Sequence, residues 1–368
     1  MSLQTPAIPP DLLDLVASSR VLLVHHQAPS GAIPAAPSYP VYGYCWFRDG
    51  AFIADGLSRH GEAQAADAFH TWCSRIITDR ADLIEDLVSR LGAGVQVARE
   101  EFLPTRYTLD GDDGPEDWEN FQTDGYGSWL WALEQHLGRH GGDVALYRRA
   151  ATLTAQYLSQ VWSQPCYDWW EEHPDHRHVS TLGAVAAGLD AVLRLRVLDP
   201  ETAAGARSAS QEIRATIRRD GIHAGHAVKW LGSTAVDGSL LACVAPFQTF
   251  DDVVSRATVA AVERDLIADG GVYRYRDDTF YGGGRWPVLA AFHGLALAAS
   301  GREAGAHDAL GWIASTATSE GYLPEQVGPR LHGARQAEWV DRWGPVATPL
   351  LWSHGMFLIL ADELGIGT

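Results

Sequence analysis

Apolar residues recur along this chain at helical spacing. From Gln122, the set Tyr126, Trp129, Leu130, Leu133 and Leu137 falls on one face, and Gly138 ends the pattern. From His178, Leu182, Val185, Leu189 and Val192 do the same, stopping before Asp199-Pro200. From Trp286, Leu289, Phe292, Leu295 and Ala299 share a face up to Gly301. Near the end, Thr348 reads as an N-cap and Pro349 as a first-turn residue, with Leu350, Phe357, Ala361 and Leu364 aligned up to Gly365. Similar patterns cover 10–25, 48–60, 62–78, 79–92, 143–162, 200–219, 251–268 and 303–319. The expectation is about twelve helices with no run of alternating strands; only 222–250 leaves room for a short hairpin or irregular loops.

Long connections rich in Trp, Gly, Asp and Glu separate alternate helices: 30–47, 104–121, 163–177, 222–250, 270–285 and 321–345. Such loops between helix pairs predict a toroid of helical hairpins with the loops on one functional face. No composition break marks a second domain, so 1–368 is expected to be one unit, with 1–9 a flexible N-terminus.

Composition narrows the function classes. The 368 residues are 46% hydrophobic and 20% charged, which is ordinary for a globular protein. With 28 basic and 46 acidic side chains the net charge is −18, which argues against a nucleic-acid partner. Lys229 is the sole lysine, so Schiff-base chemistry has one position open to it. The four cysteines form no CxxC pair, the N-terminus lacks a basic n-region, and no stretch of about 18 apolar residues occurs. The expected location is the cytoplasm, without a membrane partner. The outlier is tryptophan, with 14 residues, many beside charged ones. Flat aromatic faces next to carboxylates suit the apolar faces of sugar rings, although about half of these rings are expected simply to pack.

Three segments carry candidate chemistry. In Asp168-Trp169-Trp170-Glu171-Glu172, adjacent carboxylates between aromatic rings can have their acidities pushed apart, leaving one protonated near neutral pH. In Leu323-Pro324-Glu325-Gln326, Pro324 fixes the backbone before a carboxylate, and a rigid Glu beside an amide suits a water-activating base. In Tyr42-Gly43-Tyr44-Cys45-Trp46-Phe47-Arg48-Asp49, Arg48 and Asp49 can grip neighbouring hydroxyls or simply pair with each other. Pro174 breaks any helical metal face among His173, His176 and His178. The acidic stretch 110–117 does not fit an EF-hand loop and reads as solvated. GxSxG and HExxH are missing.

Together these segments resemble glycoside hydrolase family 15, the glucoamylase family, from about Tyr42 to His354 and in the family's order. Trp46-Phe47-Arg48-Asp49 is similar to its WxRD segment, whose Arg and Asp hold the terminal glucose, and Tyr42 to the aromatic that stacks on it. Trp118 and Gln122-x-Asp124-Gly125-Tyr126-Gly127 resemble the next segment, whose Trp lines the site. Trp170-Glu171-Glu172 resembles the WEE that carries the general acid, Glu171, making Asp168 and Glu172 substrate-binding residues. Asp237-Gly238-Ser239-Leu240-Leu241, then Arg274 through Trp286, Leu323-Pro324-Glu325-Gln326 with the general base Glu325, and Trp352-Ser353-His354 complete the set. Gly284-Arg285 departs from the Asn-Pro common in the family.

The resemblance implies an all-α (α/α)6 barrel and hydrolysis with inversion, needing no metal or organic cofactor. Glu171 would protonate the glycosidic oxygen, and Glu325 would activate a water across a gap of roughly 6.5–9.5 Å. Trp46, Trp118, Trp170, Arg274 and Trp286 would bind substrate, with Arg285, His173 and Trp339 further candidates around the second sugar. The implied activity is exo-acting release of β-glucose from short α-glucosides, isomaltose or α-1,6-linked oligosaccharides first. Maltooligosaccharide, glucodextranase and trehalase activities are alternatives. So are a phosphorylase, a non-catalytic sugar-binding regulator and a plain helical scaffold.

Overall fold

The computed structural model describes residues 10–367 apart from Glu116, Asp117 and Glu119. The segment expected to be flexible, 1–9, and the end of the acidic stretch 110–117 therefore lie outside the described residues.

Among the described residues there are fourteen α-helices: α1 (Pro10–His26), α2 (Phe47–Arg59), α3 (Ala63–Asp79), α4 (Ala81–Gly92), α5 (Asp124–His140), α6 (Arg148–Val161), α7 (Val179–Leu195), α8 (Pro200–Asp220), α9 (Leu240–Val244), α10 (Asp252–Leu266), α11 (Pro287–Ala299), α12 (Glu303–Ser315), α13 (Gln336–Trp343) and α14 (Leu351–Glu363). Six of them close a ring by neighbour contacts, in the order α2, α5, α7, α9, α11, α14 and back to α2. Outside it, α1, α3, α6, α8, α10 and α12 each pack on inner helices, and α4 packs on α6. This is the (α/α)6 barrel.

The hydrophobic pattern explains which helices go where. An inner helix touches neighbours all round, so α11 (PVLAAFHGLALAA) buries nearly every residue. An outer helix buries one stripe: in α8 it is Thr202, Ala206, Ala209, Ser210, Ile213, Thr216 and Ile217. Close packing inside the ring depends on glycine. A Cβ on Gly188 of α7 would lie 2.4 Å from the carbonyl oxygen of Gly127 on α5, and one on Gly56 of α2 would lie 2.6 Å from that of Gly355 on α14.

Several boundaries differ from the expectation. Helix α5 runs past Gly138 to His140, because the chain reverses at Gly141, whose φ of 73° only glycine adopts without strain. Helix α7 ends at Leu195 with Arg196 in the left-handed region. The stretch 143–162 divides into a 3-10 turn, Val144–Tyr147, and α6. Thr348 is not an N-cap; its hydroxyl bonds the Val346 carbonyl, and Leu350 precedes α14. Short strands also exist. A hairpin pairs β3 (Ile222–His223) with β4 (His226–Ala227), where the sequence left room for one. Of the others, β1 (Cys45–Trp46) pairs with β2 (Arg106–Tyr107), and β5 (Ile267–Ala268), β6 (Gly271–Tyr273) and β7 (Arg285–Trp286) form a small antiparallel sheet. At two or three residues each they are too short to show alternation. Two of them, β1 and β7, lead directly into α2 and α11 and fix the entry of those helices.

Candidate active site

The long loops that enter the inner helices converge on one pit of about 240 Å³. Tyr42, Trp46, Arg48 and Asp49 reach it from the start of α2, Trp118 from before α5, and Trp170, Glu171 and Glu172 from before α7. Arg274, Phe280 and Trp286 come from before α11, Glu325 from the loop leading to α14, and Trp339, Arg342 and Trp343 from α13. The N-terminal ends of inner helices thus surround the pit, and their dipoles favour the carboxylates gathered there.

Glu171 sits at φ 63°, an uncommon conformation for a residue with a side chain. The turn behind it is tied by Asp168. Its Oδ1 accepts the backbone N–H groups of Trp170 and Glu172, each at 2.9 Å, and its carbonyl accepts that of Glu171 at 3.0 Å. The Glu171 carboxyl accepts two indole N–H bonds, from Trp46 at 2.6 Å and Trp118 at 3.1 Å. Desolvation raises its pKa to about 7, against the pull of Arg48 and the Trp46 bond, with Asp49 adding to the rise.

Glu325 is 2% exposed. Its N–H donates to the Ala347 carbonyl at 2.9 Å, and the Tyr42 hydroxyl donates to its Oε1 at 3.0 Å. The WSH segment of α14 holds this loop: the Ser353 hydroxyl donates to the Pro324 carbonyl at 2.9 Å, and the Leu323 N–H donates to His354 Nε2 at 2.9 Å. That bond places the proton of His354 on Nδ1, which faces the Ser19 hydroxyl at 2.8 Å. Desolvation pushes the Glu325 carboxyl up to about 8, opposed by the Tyr42 bond and Arg274. Gln326 is turned away from the pit; its amide clamps Gly284 N–H and the Phe280 carbonyl. Tyr42 and Trp46, ring centroids 5.8 Å apart, stand between the two glutamates, each bonded to one of them.

Arg48 is steered by Gln122 at 2.8 Å and Asp124 at 3.0 Å, which leaves its Nε 3.4 Å from Asp49 Oδ2. Burial lifts Asp49 to about 6 against the attraction of Arg48. Arg274 is held by Asp278 at 2.9 Å and reaches Glu172 at 3.3 Å. Its guanidinium lies over Trp170 and Trp286.

Eleven of the twelve residues the sequence pointed to thus meet in the pit. Asp168 does not line it and acts from behind the wall. Among the further candidates Trp339 lines the pit, whereas Arg285 bonds the Ala268 and Gly328 carbonyls and His173 packs near Trp230 and Tyr275. Trp169, Phe280, Arg342, Trp343 and Trp352 are wall residues to which sequence reasoning gave no role, although Trp169, Phe280 and Trp352 lie inside the segments it singled out. Among the described residues the one cluster spaced for a metal ion is Asp168, Glu172 and His173, but Lys229 engages Asp168, and Arg274 and Tyr275 engage Glu172. In the acidic stretch, Asp113 pairs with Arg80 at 2.6 Å.

Buried polar groups normally find partners within a fold. In this pit Arg48 Nε, Asp49 Oδ2, Glu325 Oε2 and the indole N–H groups of Trp169, Trp286, Trp339 and Trp352 are buried without a hydrogen bond inside the protein. Donors and acceptors interleaved with aromatic faces, around two raised carboxyls, define a site for hydrolysing a polyhydroxylated ring compound, that is, a glycoside hydrolase. The family model for glycosyl hydrolases family 15 matches residues 13–325, and the chain belongs to that family. A protein from Kribbella flavida named isomaltose glucohydrolase is 50% identical over 361 residues, covering 96% of this chain and 94% of its own length. A solved glycosidase variant in complex with glucose is 48% identical with a TM-score of 0.95, covering 98% of this chain and 99% of its own. A glucoamylase from Saccharomycopsis fibuligera shares the fold at 15% identity and a TM-score of 0.74, with 97% and 96% of the two chains covered.

Proposed function

We propose that this glycoside hydrolase is an exo-acting, inverting α-glucosidase that releases β-glucose from the non-reducing end of short α-glucosides, isomaltose first. The observation that carries the reading is the pit in which Arg48, Asp49, Glu171 and Glu325 meet between tryptophan faces. A terminal glucose offers hydroxyls to the Arg48 and Asp49 side chains and apolar ring faces to the tryptophans that line the same pit. The choice of isomaltose rests on the Kribbella flavida relative.

In this reading Glu171, whose carboxyl is raised to about 7, protonates the glycosidic oxygen. Glu325, whose Oε1 accepts the Tyr42 hydroxyl, takes the proton of the attacking water. Asp49 and Arg48 grip hydroxyls of the terminal sugar, and Arg274 with Glu172 forms the wall for the departing sugar. Tyr42, Trp46, Trp118, Trp170 and Trp286 provide apolar faces. Desolvation raises both carboxyls, Glu325 more than Glu171, so the productive form, with Glu171 protonated and Glu325 ionised, is a minority form most populated between the two values. Acid, base and water suffice, so the reading includes no cofactor, nucleic acid or membrane partner. Four free, buried cysteines fit a reducing cytoplasm, and among the described residues no helix is long and apolar enough to cross a membrane.

The test is initial-rate hydrolysis of isomaltose, maltose and trehalose, with and without phosphate. Fastest glucose release from isomaltose, independent of phosphate, supports the reading. A preference for maltose or trehalose shifts the substrate, phosphate dependence makes the protein a phosphorylase, and binding without turnover makes it a sugar sensor.

A further inference from the structure

The lone lysine of the chain lies directly behind the acid's turn. Lys229 is 3% exposed, with Nζ 2.5 Å from Asp237 Oδ2, 3.0 Å from Asp168 Oδ2 and 3.8 Å from the Tyr275 ring centre. Each carboxylate has a second task. Asp168 closes the turn that carries Glu171 at φ 63°. Asp237 holds the Trp170 indole N–H with both oxygens, at 3.1 and 3.0 Å, and anchors Ser239 before α9. The Lys229 carbonyl also accepts the N–H of Val179, the first residue of α7. Two loops entering adjacent inner helices therefore share one ammonium, and without it two buried carboxylates would face each other uncompensated. Burial alone would push Lys229 down, but Asp237 and Asp168 outweigh it and hold its pKa above the ordinary value. An ammonium so engaged, outside the pit wall, is no nucleophile.

We propose that Lys229 is a positioning residue for acid catalysis: the Asp168–Lys229–Asp237 clasp fixes the turn that aims Glu171 at the glycosidic oxygen. The proposal rests on Glu171 being the acid, and the test separates the two. Isomaltose needs its leaving group protonated, whereas α-glucosyl fluoride does not, so loss of acid alignment penalises the first substrate selectively. Lys229→Met is expected to lower kcat on isomaltose about 100-fold while changing turnover of the fluoride less than about 5-fold. In an E171Q background, K229M is expected to add no further loss on isomaltose.

Asp168→Asn, nearly isosteric and leaving Lys229 with Asp237, provides a second variant and should show the same selectivity. Equal losses on both substrates, additive losses with E171Q, or a D168N variant with unchanged isomaltose turnover would each overturn the proposal. Wild-type isomaltose turnover by E171Q alone would instead remove the acid assignment.

Discussion

Replacing Glu325 by Gln isolates the cost of holding a carboxyl in this pit. The group is 2% exposed, and its pKa rises from 4.5 to about 8, mainly by desolvation. The unfolded chain releases the proton near 4.5, while the native protein keeps it to about 8. Between those values the native state binds more protons, so wild-type stability is full below the unfolded pKa and falls as pH rises, levelling off above the folded one. At 1.36 kcal/mol per unit, a shift of about 3.5 units amounts to roughly 5 kcal/mol. Gln cannot ionise, and its Oε1 can still accept the Tyr42 hydroxyl. Urea denaturation of both proteins at pH 4.5, 6.5 and 8.5 cancels the groups they share. The expected difference is near zero at pH 4.5 and grows in favour of the variant to about 5 kcal/mol at pH 8.5, while hydrolysis drops by a factor of about 10² to 10⁴. A difference that does not change with pH would refute the desolvation argument, and full activity would refute the base.

Three further outcomes follow from the same geometry. With the two carboxyls near 7 and 8, kcat/KM against pH should be a bell whose limbs report the pair, with its maximum between them; an optimum at pH 4–5 would mean that the pit is well hydrated. Trp46→Phe removes the 2.6 Å donor that holds the Glu171 pKa down; because that pKa is the lower of the two, the acid limb should move to higher pH, and an unmoved acid limb would detach Glu171 from it. Gly188→Ala forces a Cβ to 2.4 Å from the Gly127 carbonyl oxygen and should destabilise the barrel by about 1–3 kcal/mol in denaturant titrations. Unchanged stability there would mean that α5 and α7 can separate at no cost.

What the sequence revealed follows from the range of the interactions involved. Helical periodicity is local, so the pairs enclosing the barrel were legible from Leu182, Val185, Leu189 and Val192 and their counterparts. Helix α9, only five residues long, and the α13 segment, all of it at least partly exposed, carry too little apolar periodicity to stand out. The proposed acid and base stood out because Glu171 follows two tryptophans and Glu325 follows a proline, both in segments that resemble family motifs. Asp168 reads in sequence as one more acidic residue of its segment. Its place behind the wall depends on Lys229, 61 positions away, a contact only the fold creates. Gln326 illustrates the same limit: its neighbour faces the pit while its own amide clamps Gly284 and Phe280.

The central claim is attack by water on the face of the sugar opposite the departing oxygen, with Glu171 and Glu325 on the two sides. Proton NMR of the first minutes of isomaltose hydrolysis reads this directly from the anomeric signals. β-Glucose must appear first and mutarotate afterwards; α-glucose as the initial product would contradict the account.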